Sequence, residues 1–479
     1  MERSLSMTAR SATIRLAILL LILVPLAYGQ EPQKSAAQKA QPAGVLELAR
    51  EAAKDGRLAW KLTVPEEVEA LLGPPEKRET RNDGGMSVLT FEYADLAMYF
   101  GKFRDKAGPY TLRGIVAVTT KTQPDGTVEH EPTEELDIGA DRLLVLRNEK
   151  DLSKLDDFWG FAGVSLEKCD LRDRGGEHKY SDLLKTMPFD TRTIWPPAER
   201  MPEGFNPARL LEEGKNPGLG VRGLHARGVD GHGVRIAIID QPQKADHEEY
   251  KEQIERYEVI GCEDADPQMH GPPVASIAVG KTCGVAPRAR LSYYAVASWQ
   301  MDNTPFSDVI EKILKENEGR STNERIRVVS ISTGMFPKQK HYDRWQDVTR
   351  RAAESGLMIV TCSQYAFKYG TLLRTPGADA DNPKSYEAGL YGVRPEALLI
   401  PTGGRTTASH YGTDVYTYWT QGGMSWATPY LAGTAALAFQ VKPDITPERI
   451  IALWQQTATQ TDAGLVINPV KFIEAVKRE

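Results

Sequence analysis

From residue 45 onward the chain runs in two hydrophobic rhythms. Residues 45–53 and 65–72 set apolar positions at helical spacing, and 86–93, 96–100 and 112–119 alternate apolar with polar at the two-residue period of strands. Together they predict a small α+β domain over 45–121, its second helix stopped by Leu72-Gly73-Pro74-Pro75. No nucleophile, metal cluster or phosphate loop assembles there. From Asn216 the texture changes. Short β-branched runs at 234–240, 291–296, 326–332 and 357–362 are separated by helical patterns at 272–279, 306–314 and 342–353. That alternation predicts an α/β domain over 216–479, a mostly parallel sheet with helices on both faces. Such a sheet presents its functional groups at the carboxyl ends of the strands.

Between the two regions, 122–215 is heterogeneous. It holds an acidic stretch at 129–137, an apolar run at 143–146 and a Pro-rich run over 195–207, and it reads as an accessory or pro-region. At the start, Arg3, Arg10 and Arg15 precede an apolar run over 16–27 and the small residues of Ala27-Tyr28-Gly29. This pattern predicts a signal peptide over 1–29, with an uncleaved anchor as the alternative. The run is short for a bilayer, and no second apolar stretch of about 18 residues follows. The expected product is secreted or periplasmic, with no stable membrane span. Residues 30–44, rich in Gln, Ala, Lys and Pro, read as a flexible linker.

Composition narrows the partners. A chain of 479 residues with 41% hydrophobic and 26% charged residues is an ordinary globular mixture, enough for two to four folded units at roughly 100–200 residues each. Lys+Arg 59 against Asp+Glu 65 leaves a net charge of −6, so no basic excess draws nucleic acid. Cys169, Cys262, Cys283 and Cys362 leave two readings open, a bridge between Cys262 and Cys283 or buried free thiols.

Three residues at strand and helix ends carry the candidate chemistry. Asp240 closes the apolar run Val234-Arg235-Ile236-Ala237-Ile238-Ile239, where by itself it reads equally as a turn former. His270 precedes Gly271-Pro272-Pro273, and prolines in a first turn cost no helical hydrogen bond, so an imidazole is expected at a helix start. Ser425 follows Gly422-Gly423-Met424 and opens an apolar helix over 430–439, aiming free N–H groups at any oxyanion formed there. An ordinary serine cap is the alternative. Pro429 argues against it, because it has no N–H to offer the carbonyl of Ser425.

In that order and context the three residues resemble the subtilase family of serine endopeptidases. His270 lies 30 residues after Asp240, and Ser425 lies 155 after His270, similar to the family's usual spacing. Gly233 to Asp240 looks like the family's aspartate strand, Gly284-Val285-Ala286-Pro287 like the turn after the histidine helix, and 425–436 like the serine helix. The resemblance implies a subtilisin-like fold over 216–479 and hydrolysis of protein or peptide substrates through an acyl-enzyme. It implies His270 as base, Asp240 as its orienting partner and Ser425 as nucleophile. Gln364 then matches the oxyanion donor, and Ser332-Thr333-Gly334 the segment that pairs with an extended substrate.

The sequence departs from the family pattern at Gln241-Pro242 after the aspartate, at Pro272-Pro273 after His270, at Gln364 in place of Asn and at Met424 in place of Thr. None removes a triad member, and a catalytically weak or inactive subtilase-like protein acting as an extracytoplasmic binding module is the competing reading. No cofactor is required for this chemistry. Structural calcium stays open, since the resemblance supplies no carboxylate cluster that can be placed. His247 with Asp246 and Glu249 invites a metal reading, but a charged loop face is the commoner meaning of such a run.

Overall fold

The computed structural model describes residues 44–479 except 84–85, 104–108, 123–127, 137–142, 156–157, 175–178 and 365–366. The predicted signal peptide, and the predicted linker up to residue 43, lie outside the described residues. The chain divides into two compact units, one running to Leu171 and including Thr193–Met201, the other comprising Arg172–Arg192 and Pro202–Glu479.

In the first unit, the helices Val45–Lys54 and Pro65–Leu72 accompany a five-stranded antiparallel sheet whose order follows the chain: Lys77–Asp83, Met86–Tyr93, Leu96–Phe103, Thr111–Thr122, Val128–Glu135. The two-residue alternation decides the faces. Leu96, Met98 and Phe100 join Phe91, Ile115, Ala49 and Val68 in one core, while Ala97, Tyr99, Val116 and Val118 cluster separately. Both edge strands were invisible to hydrophobic patterning, because Lys77–Asp83 reads KRETRND and Val128–Glu135 reads VEHEPTEE. Backbone pairing recruits them, and polar sequence is what an exposed edge calls for. The boundary expected at 121/122 therefore falls inside a hairpin, with Lys121 opposite Glu129 and Thr122 opposite Val128.

The second unit holds the expected parallel sheet, in the order Ile254–Ile260, Arg290–Val296, Arg235–Asp240, Ile326–Ile331, Met358–Thr361. Arg235–Asp240 is central, so its apolar residues are buried on both faces. Ala237 and Ile239 pack with Phe306, Val309 and Ile313 of the helix Thr304–Asn317 and with Trp345 and Val348 of the helix Tyr342–Glu354. The opposite face receives the helix Met424–Val441, which packs on the sheet and on the helix Gly271–Val279. Alternation places Asp240 on this second face, together with Ile236 and Ile238.

The second unit also begins earlier than residue 216. Phe189–Asp190 pairs with Tyr416–Trp419, which in turn pairs with Arg405–Ala408. The helix Pro207–Gly214 is held by Thr406 Oγ1 donating to Leu211 O at 2.7 Å and by Arg374 Nη2 donating to Glu213 O at 3.2 Å. A two-residue strand has no periodicity to read. The helix shows only its start signals, Pro207 at N1 and an Asn206 side chain accepting from Arg209 N.

The helix Pro207–Gly214 supplies a stability test. A methyl group added at Gly214 would stand 2.9 Å from both Thr406 N and Tyr418 Cδ2, whereas one added at Gly223, in the helix Val221–His225, meets nothing within 4 Å. Gly214→Ala is expected to destabilise the second unit by about 1–3 kcal/mol. Gly223→Ala should be neutral or gain up to about 1 kcal/mol from helix propensity. Equal unfolding midpoints for the two variants in urea would place 207–214 outside that unit's fold.

Candidate active site

The central strand ends in a buried carboxylate. Asp240 is 4% exposed, and its Oδ1 accepts from Gln241 N at 2.8 Å and from His270 Nδ1 at 2.6 Å. An ionised carboxylate only accepts, so Nδ1 carries the proton and Nε2 of the neutral ring keeps its lone pair. Burial works against the imidazolium, but the charge of Asp240 and its hydrogen bond outweigh burial and hold His270 above its ordinary value of 6.5. Gln241, the first departure from the family pattern, is tied to the neighbouring strand. Tyr293 donates to its carbonyl at 2.5 Å, and its amide donates to Ser298 Oγ at 3.1 Å.

His270 occupies the N-cap position of Gly271–Val279, every residue of which is buried, with Pro272 and Pro273 in the first turn. The helix start can approach the aspartate because residue 271 has no side chain. A Cβ there would lie 2.7 Å from Gln241 O and 2.8 Å from Tyr293 Oη. The two prolines fix φ in the turn that follows the imidazole, so this departure stiffens the helix start.

Ser425 is the second residue of Met424–Val441, so the helix begins six residues before the apolar run that announced it. Pro429 lies inside the helix, and its missing N–H leaves the Ser425 carbonyl without an intrahelical donor. Ser332 Oγ takes that place, donating to Ser425 O at 2.9 Å, and Ser425 Oγ donates in return to Ser332 O at 3.1 Å. The Ser425 hydroxyl thus faces the end of Ile326–Ile331 and bonds Ser332 rather than His270. The adjoining Trp426 reaches the imidazole, its ring 5.5 Å from that of His270. Of the two glycines before the serine, Gly422 is the one that permits close approach: a Cβ there would stand 2.7 Å from the carbonyl carbon of Thr402, whereas Gly423 has open space.

Gln364 adopts the left-handed conformation, φ 56, just beyond the strand Met358–Thr361. Its Oε1 accepts from Tyr369 N at 3.4 Å, and its Nε2 lies 3.9 Å from Met424 Sδ. Two departures from the family pattern therefore meet, since the longer amide reaches the sulfur of the residue before Ser425. In the candidate substrate segment, Thr333 O accepts from Cys362 N at 3.2 Å, Gly334 O accepts from Gln339 Nε2 at 3.1 Å, and the Phe336 ring fills the space a Gly334 side chain would take.

The metal reading around His247 has a structural answer. Its ring is fully buried, with Nε2–H donating to Val415 O at 2.9 Å and Nδ1 accepting from Glu249 N at 3.1 Å, so neither nitrogen is open to a cation. Glu249 accepts from Thr282 N, Thr282 Oγ1, Cys283 N and Tyr416 Oη within 3.0 Å, which ties its loop to the end of the histidine helix. Among the described residues no group of three His, Cys, Asp or Glu side chains is placed to hold a metal. All four cysteines are free thiols, Cys262 and Cys283 both buried, so the bridge between them does not form. Sequence reasoning passed over Trp426 and Tyr369. Their signals, an aromatic beside the serine and one five residues after Gln364, carry meaning only once the elements are assembled.

Residues 231–364 match the subtilase family model. The subtilisin-like protease PopC of Myxococcus xanthus is 26% identical over 270 residues, covering 47% of this chain, and the match spans 56% of that relative's length. Three solved structures align with about half of the chain. They are a chain from the subtilase cytotoxin SubAB assembly (14% identity, TM-score 0.41, 55% of this chain and 95% of that one), the prenylagaramide maturation protease PagA (16%, 0.40, 54% and 98%) and the A-subunit of the AB5 toxin from E. coli (14%, 0.43, 55% and 99%). The family match, the named relative and the parallel sheet that brings the Asp240–His270 pair beside the serine helix lead to one conclusion: the C-terminal half of the chain carries a subtilase-family domain, matched over residues 231–364.

Proposed function

We propose that the C-terminal half is a serine endopeptidase that cleaves protein or peptide substrates through Asp240, His270 and Ser425. The observation that carries this reading is the 2.6 Å bond from His270 Nδ1 to Asp240 Oδ1, which leaves Nε2 as a base beside the start of the serine helix. Ser425 Oγ turns from Ser332 O toward Nε2 and gives up its proton as it bonds the scissile carbonyl carbon. The C–N bond then breaks while Nε2–H protonates the leaving amine. Water, deprotonated by His270, attacks the acyl carbon, and Nε2–H returns its proton to Ser425 Oγ as the ester bond breaks, with Asp240 stabilising the imidazolium in both halves of the cycle. The backbone N–H of Ser425 and the amide of Gln364 are the donors for the oxyanion, and Ser332-Thr333-Gly334 is the segment alongside which the substrate extends. None of these steps calls for a cofactor. The basic, apolar and small-residue pattern of the first 29 residues supports action outside the cytoplasm.

A fluorophosphonate probe is expected to add a single adduct to the protein and none to Ser425→Ala, whose turnover should fall on the order of 10⁶-fold. Intact mass reads both results. A wild-type chain that takes no adduct would favour an inactive subtilase-like binding module, in keeping with a hydroxyl that faces Ser332 O.

The base must be neutral to act, so kcat/KM should rise with pH through an inflection above 6.5, where Asp240 holds the imidazole. In Asp240→Asn the two raising causes vanish and burial remains, moving the inflection below 6.5. Rates should also drop by about 10⁴ as the imidazole loses its tautomer control. An unmoved inflection in the residual activity would remove Asp240 from this role.

Gln364→Leu is expected to lower kcat by about 10²–10³ with KM nearly unchanged, because an oxyanion donor acts in the transition state. Full turnover in that variant would reassign the donor.

A further inference from the structure

The turn bearing Gln364 and the helix bearing Ser425 are far apart in sequence, and one buried chain of polar groups spans the gap between them. Tyr369 Oη donates to Thr361 O at 2.7 Å and lies 3.1 Å from Thr428 Oγ1. Thr428 Oγ1 lies 3.5 Å from Cys362 Sγ and 3.1 Å from Met424 O, one turn before it in the serine helix. Tyr369 is 1% exposed and Thr428 fully buried, so these groups satisfy one another rather than water.

The protons can be counted. The phenol gives its proton to Thr361 O, so its lone pair receives from Thr428, whose one proton is shared between Tyr369 Oη and Met424 O. The Cys362 thiol, held up at about 11 by burial, stays protonated and can donate to Thr428 Oγ1. Tyr369 adds a further hold. Its backbone N–H donates to Gln364 Oε1 at 3.4 Å, which fixes which end of the amide remains free. One residue therefore bonds the strand end before Gln364, the side chain of Gln364 and, through Thr428, the first turn of the serine helix.

We propose that Tyr369 is the positioning residue that sets the separation between the Gln364 amide and the Ser425 N–H, acting through Thr361 and Thr428 without touching substrate. The inference rests on the reading of those two groups as oxyanion donors. Donors aimed at a developing charge lose their value steeply with small displacements. A donor that is shifted but still present should cost less than the 10²–10³ of one removed outright.

The test uses the full chain and the variants Tyr369→Phe, Thr428→Val and Thr428→Ser, measuring kcat and KM on a peptide amide, inhibition by a peptide boronic acid, and the melting temperature. Tyr369→Phe and Thr428→Val are expected to lose roughly 10–100-fold in kcat with KM within about twofold, and to weaken boronate binding by the same factor. Thr428→Ser keeps the hydroxyl and should restore wild-type values, and the Tyr369→Phe/Thr428→Val double variant should be little worse than either single one. A purely structural role would lower the melting temperature and leave kcat and the boronate constant in place. Unchanged kcat in Tyr369→Phe, or Thr428→Ser as impaired as Thr428→Val, overturns the proposal while the peptidase reading stands. A wild-type chain that neither takes the fluorophosphonate nor turns over substrate overturns both. If Tyr369→Phe fails to fold, the Thr428→Val and Thr428→Ser pair decides by the same criteria.

Discussion

The placement of Ser425 depends on a reciprocal exchange between two serines, and a proline makes that exchange necessary. Pro429 has no N–H for the carbonyl of Ser425, and a carbonyl left unpaired inside a protein is costly. Ser332 supplies the missing donor from the end of Ile326–Ile331, and its own carbonyl receives the Ser425 hydroxyl. The start of the serine helix is thereby tied to the strand beside the one that ends in Asp240. These two directional bonds add register to a helix and a sheet that also pack through apolar contact.

Burial acts twice at the neighbouring pair. The central strand takes Asp240 out of water, and Gly271 lets the histidine helix close on it, so the imidazole and carboxylate meet where their attraction is little screened. The same burial disfavours the charged ring. The balance lies with Asp240, and the proton affinity of the imidazole is raised while its Nδ1 is held by the carboxylate. Trp426, against the imidazole, covers the ring with an apolar surface that belongs to the serine helix itself.

The four departures from the family pattern are each accommodated by a local contact. Gln241 is bonded to Tyr293 and Ser298, Pro272 and Pro273 stiffen a helix start that spends no N–H on them, and Gln364 and Met424 meet side chain to side chain. The last pair matters most for chemistry. A longer amide stem in the left-handed conformation has more freedom than an asparagine's, and the Tyr369 backbone restrains it by binding the amide oxygen. The long amide and the aromatic that holds it form a set, which explains why a change at the usual asparagine position need not stand alone.

How much was legible follows from which forces act locally. The central strand, the proline-started histidine helix and the aspartate, histidine and serine at element ends were readable because apolar runs and first-turn chemistry are properties of neighbouring residues. The charged edge strands Lys77–Asp83 and Val128–Glu135, the two-residue strand Phe189–Asp190 and the helix Pro207–Gly214 were not, and both domain boundaries moved as a result. Their stability comes from hydrogen bonds and packing donated by distant segments, which leave no periodic trace. The sequence by itself determined that Pro429 would orphan the carbonyl of Ser425. Only the tertiary structure decided that Ser332 would answer it and that Tyr369 would reach Thr428, because a hydrogen bond between residues tens of positions apart depends on where the folded backbone carries them.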